Sequence, residues 1–341
     1  MYEKFYGLAQ NPFGVGPDPQ FYYGTPKHSE ALANLTYGIR RRKGFVVLTG
    51  EVGTGKTLLL RCLLEALRRS KVTHAFIFNP LLSSDDLLRQ IITDFGILNP
   101  KPTRAEMLSQ LNHFLIDVYR AGSTAALLID EAHLLTAELL EEVRLLTNIE
   151  TSEHKLLQIL LVGQPELDDI LDSPYLRQLK QRVALHCKLE PLDQSEVHGY
   201  IDRRLQLAGA PGRLLEIFPP ETLTRIVTYS RGIPRLINNI CDSALVNGYA
   251  RQDKWIRAEV IEEVANDLRL NLDDHQPATF AAAASAAALP ASPPAEFESP
   301  AKRRQIVEAL LNIVRLLDPE SEENAGQAPG QPPQQSGVTL R

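Results

Sequence analysis

The chain has 341 residues, which is enough for two or three domains. Its 44% hydrophobic and 23% charged residues are ordinary for a soluble globular protein and exclude a fibre or a wholly disordered polymer. A formal charge of −6 excludes a molecule that attracts nucleic acid by net charge, and the widely spaced Cys62, Cys187 and Cys241 argue against a disulfide or zinc framework.

Residues 1–43 are rich in aromatics, proline and glycine, including Asn11-Pro12-Phe13 and Phe21-Tyr22-Tyr23. They predict an arm that packs against a nucleotide-binding core, followed by a helix over about 29–42. That helix ends in Arg40-Arg41-Arg42-Lys43, the one dense basic run. The run reads as cations complementing a helix C-terminus, with a nucleic-acid contact as the alternative.

From 44 to 190 strands and helices alternate. Strands are predicted at 45–49, 74–78, 125–129, 157–162 and 183–189, with helices at 56–69, 84–95, 104–120, 137–148 and 165–180. Runs such as Ala125-Ala126-Leu127-Leu128-Ile129 are apolar throughout, as expected of strands covered on both faces. The pattern predicts an α/β fold with an open, five-stranded parallel sheet.

Between the first strand and its helix lies Gly50-Glu51-Val52-Gly53-Thr54-Gly55-Lys56-Thr57. In that strand–loop–helix context the spacing is a phosphate cradle, a P-loop. Its glycines let backbone N–H groups converge on a phosphate, and the helix N-terminus and Lys56 add positive charge. The Thr57 hydroxyl suits a Mg²⁺ ion, so the expected ligands are ATP and Mg²⁺.

Asp130 and Glu131 follow the apolar strand 125–129. Asp130 is expected to help hold Mg²⁺ beside Thr57, and Glu131 to polarise the water that attacks the γ-phosphate. Asp130-Glu131-Ala132-His133 also matches the DEAH string of some helicases, but 191–270 is too short and too helical for a second RecA-like domain. Gln164, at the tip of the fourth strand, is a candidate γ-phosphate sensor or a helix cap. Arg182 is the first candidate for an arginine finger acting on a neighbouring subunit and Arg177 the second, their bland reading being a solvated helix end.

Residues 191–270 predict an all-helical domain. Asp193 with Glu196 forms a capping-box pattern, and further helices are expected at 220–230, 234–251 and 257–269. Pro234 opens the helix at 234–251 and sets Arg235 at the mouth of this lid, facing the nucleotide. Residues 271–341 are low-complexity, apart from an amphipathic stretch at 302–317 that suits either a docking peptide or a helix packing back on the body. No apolar run approaches the ~18–20 residues of a membrane span. Met1-Tyr2-Glu3-Lys4 does not open a signal peptide, so a cytoplasmic location is expected.

With these motifs in order, the chain resembles AAA+ ATPases, and more closely the ExeA/GspA-like ATPases of bacterial general secretion and pilus systems. The resemblance rests on Tyr6-Gly7-Leu8, Asn11-Pro12-Phe13, Asp18-Pro19, His28-Ser29-Glu30-Ala31-Leu32, the P-loop and Ile129-Asp130-Glu131-Ala132-His133. It continues through Gly163-Gln164-Pro165-Glu166-Leu167, Leu176-Arg177-Gln178-Leu179 with Gln181-Arg182, and Gly232-Ile233-Pro234-Arg235, so it covers 1–270. It implies an AAA+ core with a helical lid, adenine held near Asn11-Pro12-Phe13, and ATP-driven homo-oligomer assembly. Secretion members commonly continue into a membrane span and a peptidoglycan-binding domain, where this chain has a Pro/Ala-rich tail. The expected role is therefore that of a motor or switch for an envelope-associated assembly, with 302–317 as a candidate contact for the partner. The alternative is a DNA-linked regulator of the transposition or initiator type, which the negative charge disfavours.

Overall fold

A computed structural model describes residues 1–270, except 15, 69, 79, 81, 82, 152 and 153. The stretch 302–317 lies outside the described residues. Five parallel strands, β1 (Phe45–Gly50), β2 (Val72–Ile77), β3 (Thr124–Ile129), β4 (Leu157–Gly163) and β5 (Val183–Leu189), lie in the order β2-β3-β4-β1-β5. The inner strands β1, β3 and β4 are buried along their whole length. β5, at the edge, alternates between exposed and covered positions. Position in the sheet thus accounts for the continuous apolar runs of the inner strands.

The register brings the site together. Thr49 pairs with Gly163, Gly50 with Leu189, and Ile129 with Leu161. The P-loop after β1, Asp130 after β3 and Gln164 after β4 therefore leave the same carboxyl edge, where ligands bind in open parallel sheets. Helices Pro26–Arg40 and Lys56–Arg68 cover one face of the sheet, and helices Ser84–Asp94, Arg104–Arg120 and Ala137–Leu146 cover the other.

Several boundaries differ from the sequence reading. The first long helix starts at Pro26, capped by Thr25, and ends at Arg40. Arg42 has a left-handed backbone, donates to the Ser123 carbonyl at 2.9 Å and lies over the Tyr119 ring. That part of the basic run is tied to the turn that precedes β3. The predicted helix 165–180 is broken into Glu166–Leu171, a 3-10 turn at Pro174–Leu176, and Arg177–Lys180. Pro174 accounts for the break, since it cannot donate to the helix ladder and it restricts Ser173 before it.

The lid contains helices Gln194–Leu207, Leu214–Ile217, Pro220–Ser230, Pro234–Ala250 and Ala258–Asp267, the short one at 214–217 being unforeseen. Asp193 and Glu196 form the expected capping box. The larger departure is the arm. Tyr2, Tyr6, Leu8 and Phe13 are buried in the lid's own core rather than against the P-loop domain. Phe13 is 0% exposed and meets Phe218 edge to face, and Tyr2 donates to Asp242. A lid this small has too few apolar residues of its own to close a core, and the arm's aromatics complete it.

No helix among the described residues is long and apolar enough to cross a membrane.

Candidate active site

The P-loop glycines are where the backbone requires them. Gly53 and Gly55 have φ of +83° and +102°, a region that side chains disfavour. A Cβ on Gly50 would stand 2.8 Å from the Leu189 carbonyl oxygen. Thr54 donates its hydroxyl to the Glu51 carbonyl at 2.8 Å and closes the loop. Lys56 is buried and donates to the carbonyls of Gly50 at 2.6 Å and Glu51 at 3.0 Å. Burial lowers its pKa from the usual lysine value, against the opposing pull of Glu131 and Asp130.

The two acids are distinct in their settings. Asp130 is 5% exposed, and burial, with Glu131 beside it, holds its carboxyl above the usual carboxylate range. Its Oδ2 accepts from the Thr57 hydroxyl at 3.3 Å and its Oδ1 from the Glu131 N–H at 2.9 Å. Thr57 and Asp130 present only oxygen atoms, the donor set a hard divalent cation prefers. Among the described residues no cluster of three or more His, Cys, Asp or Glu is placed to hold an ion. A Mg²⁺ ion on Thr57 and Asp130 would therefore need phosphate oxygens and water to complete its shell.

Glu131 has a left-handed backbone, φ 52° and ψ 36°, rare for a residue with a Cβ. The turn Ala132–Leu134 anchors it, with the Leu134 N–H donating to the Glu131 carbonyl at 2.9 Å. This conformation turns the side chain into the cleft, where Glu131 and Gln164 are both lining residues. His133 sits between them: its Nδ1 is 3.5 Å from Glu131 Oε2 and accepts from the Gln164 N–H at 3.4 Å. Burial lowers the His133 pKa. The bond from Gln164 is made by its backbone, which leaves its side chain to the cleft.

The lid closes the cleft from above. The Arg235 N–H donates to the Gly53 carbonyl at 3.2 Å, and Arg235 lines the cleft. Gly232, φ +74°, is pressed against the linker: a Cβ there would lie 2.0 Å from the Leu192 carbonyl oxygen. Leu192 N–H in turn donates to the Gly232 carbonyl at 2.8 Å.

Val52, Gly53, Gly55, Lys56, Thr57, Glu131, Gln164 and Arg235 are thus gathered in one cleft, with Gly50, Glu51, Thr54 and Asp130 supporting it from behind. Other expected residues stand elsewhere. Phe13 is fully inside the lid core, Asn11 donates to Asp242 and the Pro12 carbonyl accepts from Arg204, and none of the three, expected at the base, is among the residues that line the cleft. The arm reaches the cleft a few residues later, through Gly16 and Pro17. Arg182 is held within its own subunit, donating to Thr147 Oγ1 and Asn148 Oδ1, each at 2.9 Å. Arg177 is exposed.

Residues 39–171 match the AAA domain family. The chain is 46% identical over 253 residues to general secretion pathway protein A of Aeromonas hydrophila, which takes in 74% of this chain and 45% of that protein. The chain belongs to the GspA-like family of AAA ATPases. It spans less than half the length of this curated relative. Among solved structures, the Cdc6p protein of Pyrobaculum aerophilum aligns with TM-score 0.58 at 18% identity, over 78% of this chain and 70% of that one. An ORC2 protein of Aeropyrum pernix aligns with TM-score 0.53 at 17% identity, over 73% and 71%. At those identities the likeness is one of fold.

Six cleft residues of this GspA-like chain went unnoticed as site residues in the sequence: Gly16, Pro17, Leu58, Tyr200, Arg204 and Asn238. Asn238 had a legible signal, since it lies three residues after Arg235 and so on the same helix face. Tyr200 and Arg204 share a face of helix Gln194–Leu207 in the same way, but nothing in the spacing says that this face meets a nucleotide rather than the lid core.

Proposed function

We propose that the chain is a Mg²⁺-dependent ATPase that hydrolyses ATP to ADP and phosphate and acts as a motor or switch on an envelope-associated assembly. The observation that carries the enzymatic part is the convergence of Lys56, Thr57, Asp130, Glu131 and Arg235 on one cleft. Lys56 leaves its carbonyl partners to neutralise the β- and γ-phosphates. Thr57 and Asp130 would hold Mg²⁺, which when bound would supply positive charge beside the phosphates. Glu131 takes the proton of the attacking water, Gln164 contacts the γ-phosphate, and Arg235 reports its loss to the lid.

Oligomerisation belongs to the same reading. Arg182 is committed to Thr147 and Asn148, so Arg177 becomes the preferred finger for a neighbouring subunit's phosphate. The envelope role is supported by the 46% identity to general secretion pathway protein A, with 302–317 as the proposed contact for the partner. The test is steady-state phosphate release from Mg-ATP across a range of protein concentrations. Turnover per subunit that rises with concentration and vanishes in Glu131→Gln supports the proposal. A rate independent of concentration, or one that survives in Glu131→Gln, opposes it.

A further inference from the structure

The lid wall of the cleft carries three polar side chains that the phosphate chemistry leaves unused. Tyr200, Arg204 and Asn238 are 5%, 4% and 7% exposed and line the cleft together with Gly16, Pro17 and Leu58. The Arg204 guanidinium lies between the rings of Phe21 and Tyr200, 5.0 Å from each centroid, and donates to the Pro12 carbonyl at 2.6 Å. Its buried Nε–H has no partner.

This arrangement has a direction. The Tyr200 hydroxyl has a single proton to give. It goes to Asn238 Oδ1, at 2.9 Å. With the amide oxygen committed to Tyr200, the two amide N–H donors are what Asn238 has left to offer a ligand. Asn238 lies one helical turn beyond Arg235, whose own turn is the one that meets Gly53, and it lines the cleft together with Gly16, Pro17 and Leu58. That end suits the nucleoside rather than the phosphates.

We propose that Asn238 is a specificity-determining residue of the ATP site. Its amide donates to an acceptor atom of the nucleoside, a purine ring nitrogen or a ribose oxygen, and Arg204 and Tyr200 are positioning residues that fix the amide's orientation. The proposal rests on the ATP reading above. It also explains the arm's path: Arg204 grips Pro12 and Phe21 and so sets Gly16 and Pro17 as the facing wall.

The test is equilibrium binding by the whole chain, wild type, Asn238→Ala and Tyr200→Phe, to ATP, its 1-, 3- and 7-deaza analogues, 2′- and 3′-deoxy-ATP, and tripolyphosphate. Asn238→Ala should weaken ATP about tenfold, the worth of one lost hydrogen bond, and change tripolyphosphate less than about twofold. Tyr200→Phe should shift ATP in the same direction by a smaller factor. One analogue, the one lacking the acceptor, should bind wild type weakly and be indifferent to Asn238→Ala. A ring analogue would assign the acceptor to the base, and a deoxy analogue to the sugar. The proposal is overturned if Asn238→Ala binds ATP like wild type, if tripolyphosphate weakens equally, or if all five analogues respond alike to the substitution. A wild-type chain that binds tripolyphosphate but not ATP would instead defeat the ATP reading itself.

Discussion

The backbone N–H of Arg235 is hydrogen-bonded to the carbonyl of Gly53 at 3.2 Å, so the first turn of a lid helix rests directly on the middle of the P-loop. Lid position and phosphate binding are therefore linked through one glycine. A Cβ on Gly53 would stand 2.8 Å from Arg235 Cβ and 3.0 Å from Ile233 Cγ2, in a backbone with φ +83°. Gly53→Ala should combine about 1–2 kcal/mol of backbone strain with displacement of the lid. Melting should fall by roughly 2–8 °C and the ATP dissociation constant should rise. Unchanged melting and unchanged ATP affinity together would refute the docking of lid on loop.

Asp130 should trade stability for function. Its carboxyl is held above the usual range by burial and by Glu131, so the ionised form is disfavoured in the folded chain. The folded state then binds more protons than the unfolded one, and this group's contribution becomes more unfavourable as pH rises through its folded pKa. Asp130→Asn removes that burden and should raise the melting temperature of the nucleotide-free protein at pH 7. Hydrolysis should fall by at least about 10²-fold as the metal ligand is lost. A variant that is less stable than wild type contradicts the electrostatic account.

Glu131→Gln keeps the size of the side chain and the hydrogen bond from Glu131 N–H to Asp130, and removes only the base. Turnover should drop about 10²- to 10⁴-fold while ATP binding is retained. Fluorescent-nucleotide binding beside phosphate release separates the two effects.

The two arginines near β5 should behave differently. Arg182→Ala loses bonds to Thr147 and Asn148, so its main effect should be a loss of stability on the order of 1–2 kcal/mol, seen in denaturant unfolding. Arg177→Ala, at an exposed position, should fold normally and lose turnover. Mixing Arg177→Ala with Lys56→Ala subunits should restore part of the activity, because one intact finger then faces one intact P-loop. Inactivity at every ratio removes support for a finger in trans.

His28 should make the fold sensitive to mild acid. Its Nδ1 accepts from the Thr25 hydroxyl at 2.8 Å and its Nε2–H donates to the Thr54 carbonyl at 3.1 Å, behind the P-loop. Burial lowers its pKa below the ordinary 6.5. The unfolded chain therefore takes up a proton first, so the stabilisation is fully present above about pH 6.5 and is lost as pH falls through the lowered folded value. His74 and His133 are lowered by burial as well and act in the same direction. Unfolding midpoints measured from pH 7.5 to 5 should decline, and His28→Gln should make the decline shallower. An unaltered pH profile in His28→Gln would remove His28 from this account.

Local rules made much of this protein legible in its sequence. The glycine spacing before Lys56 and Thr57, the apolar run ending at Asp130, the Asp193–Glu196 capping box and the proline before Arg235 each carry their meaning within a few residues. Hydrophobic period and turn chemistry act at that range, so the fold class and the P-loop could be read directly. Tertiary structure decided what depends on partners far along the chain. Phe13 meets Phe218, Arg204 grips Pro12, and Arg182 is bound to Thr147 rather than presented to a neighbour. No periodicity encodes such pairings, because burial and hydrogen-bond satisfaction are settled only when distant segments pack together. For the same reason the arm's aromatics read as a cover for the nucleotide core, whereas in the fold they complete the lid, and Gly16 and Pro17 are what the arm contributes to the cleft.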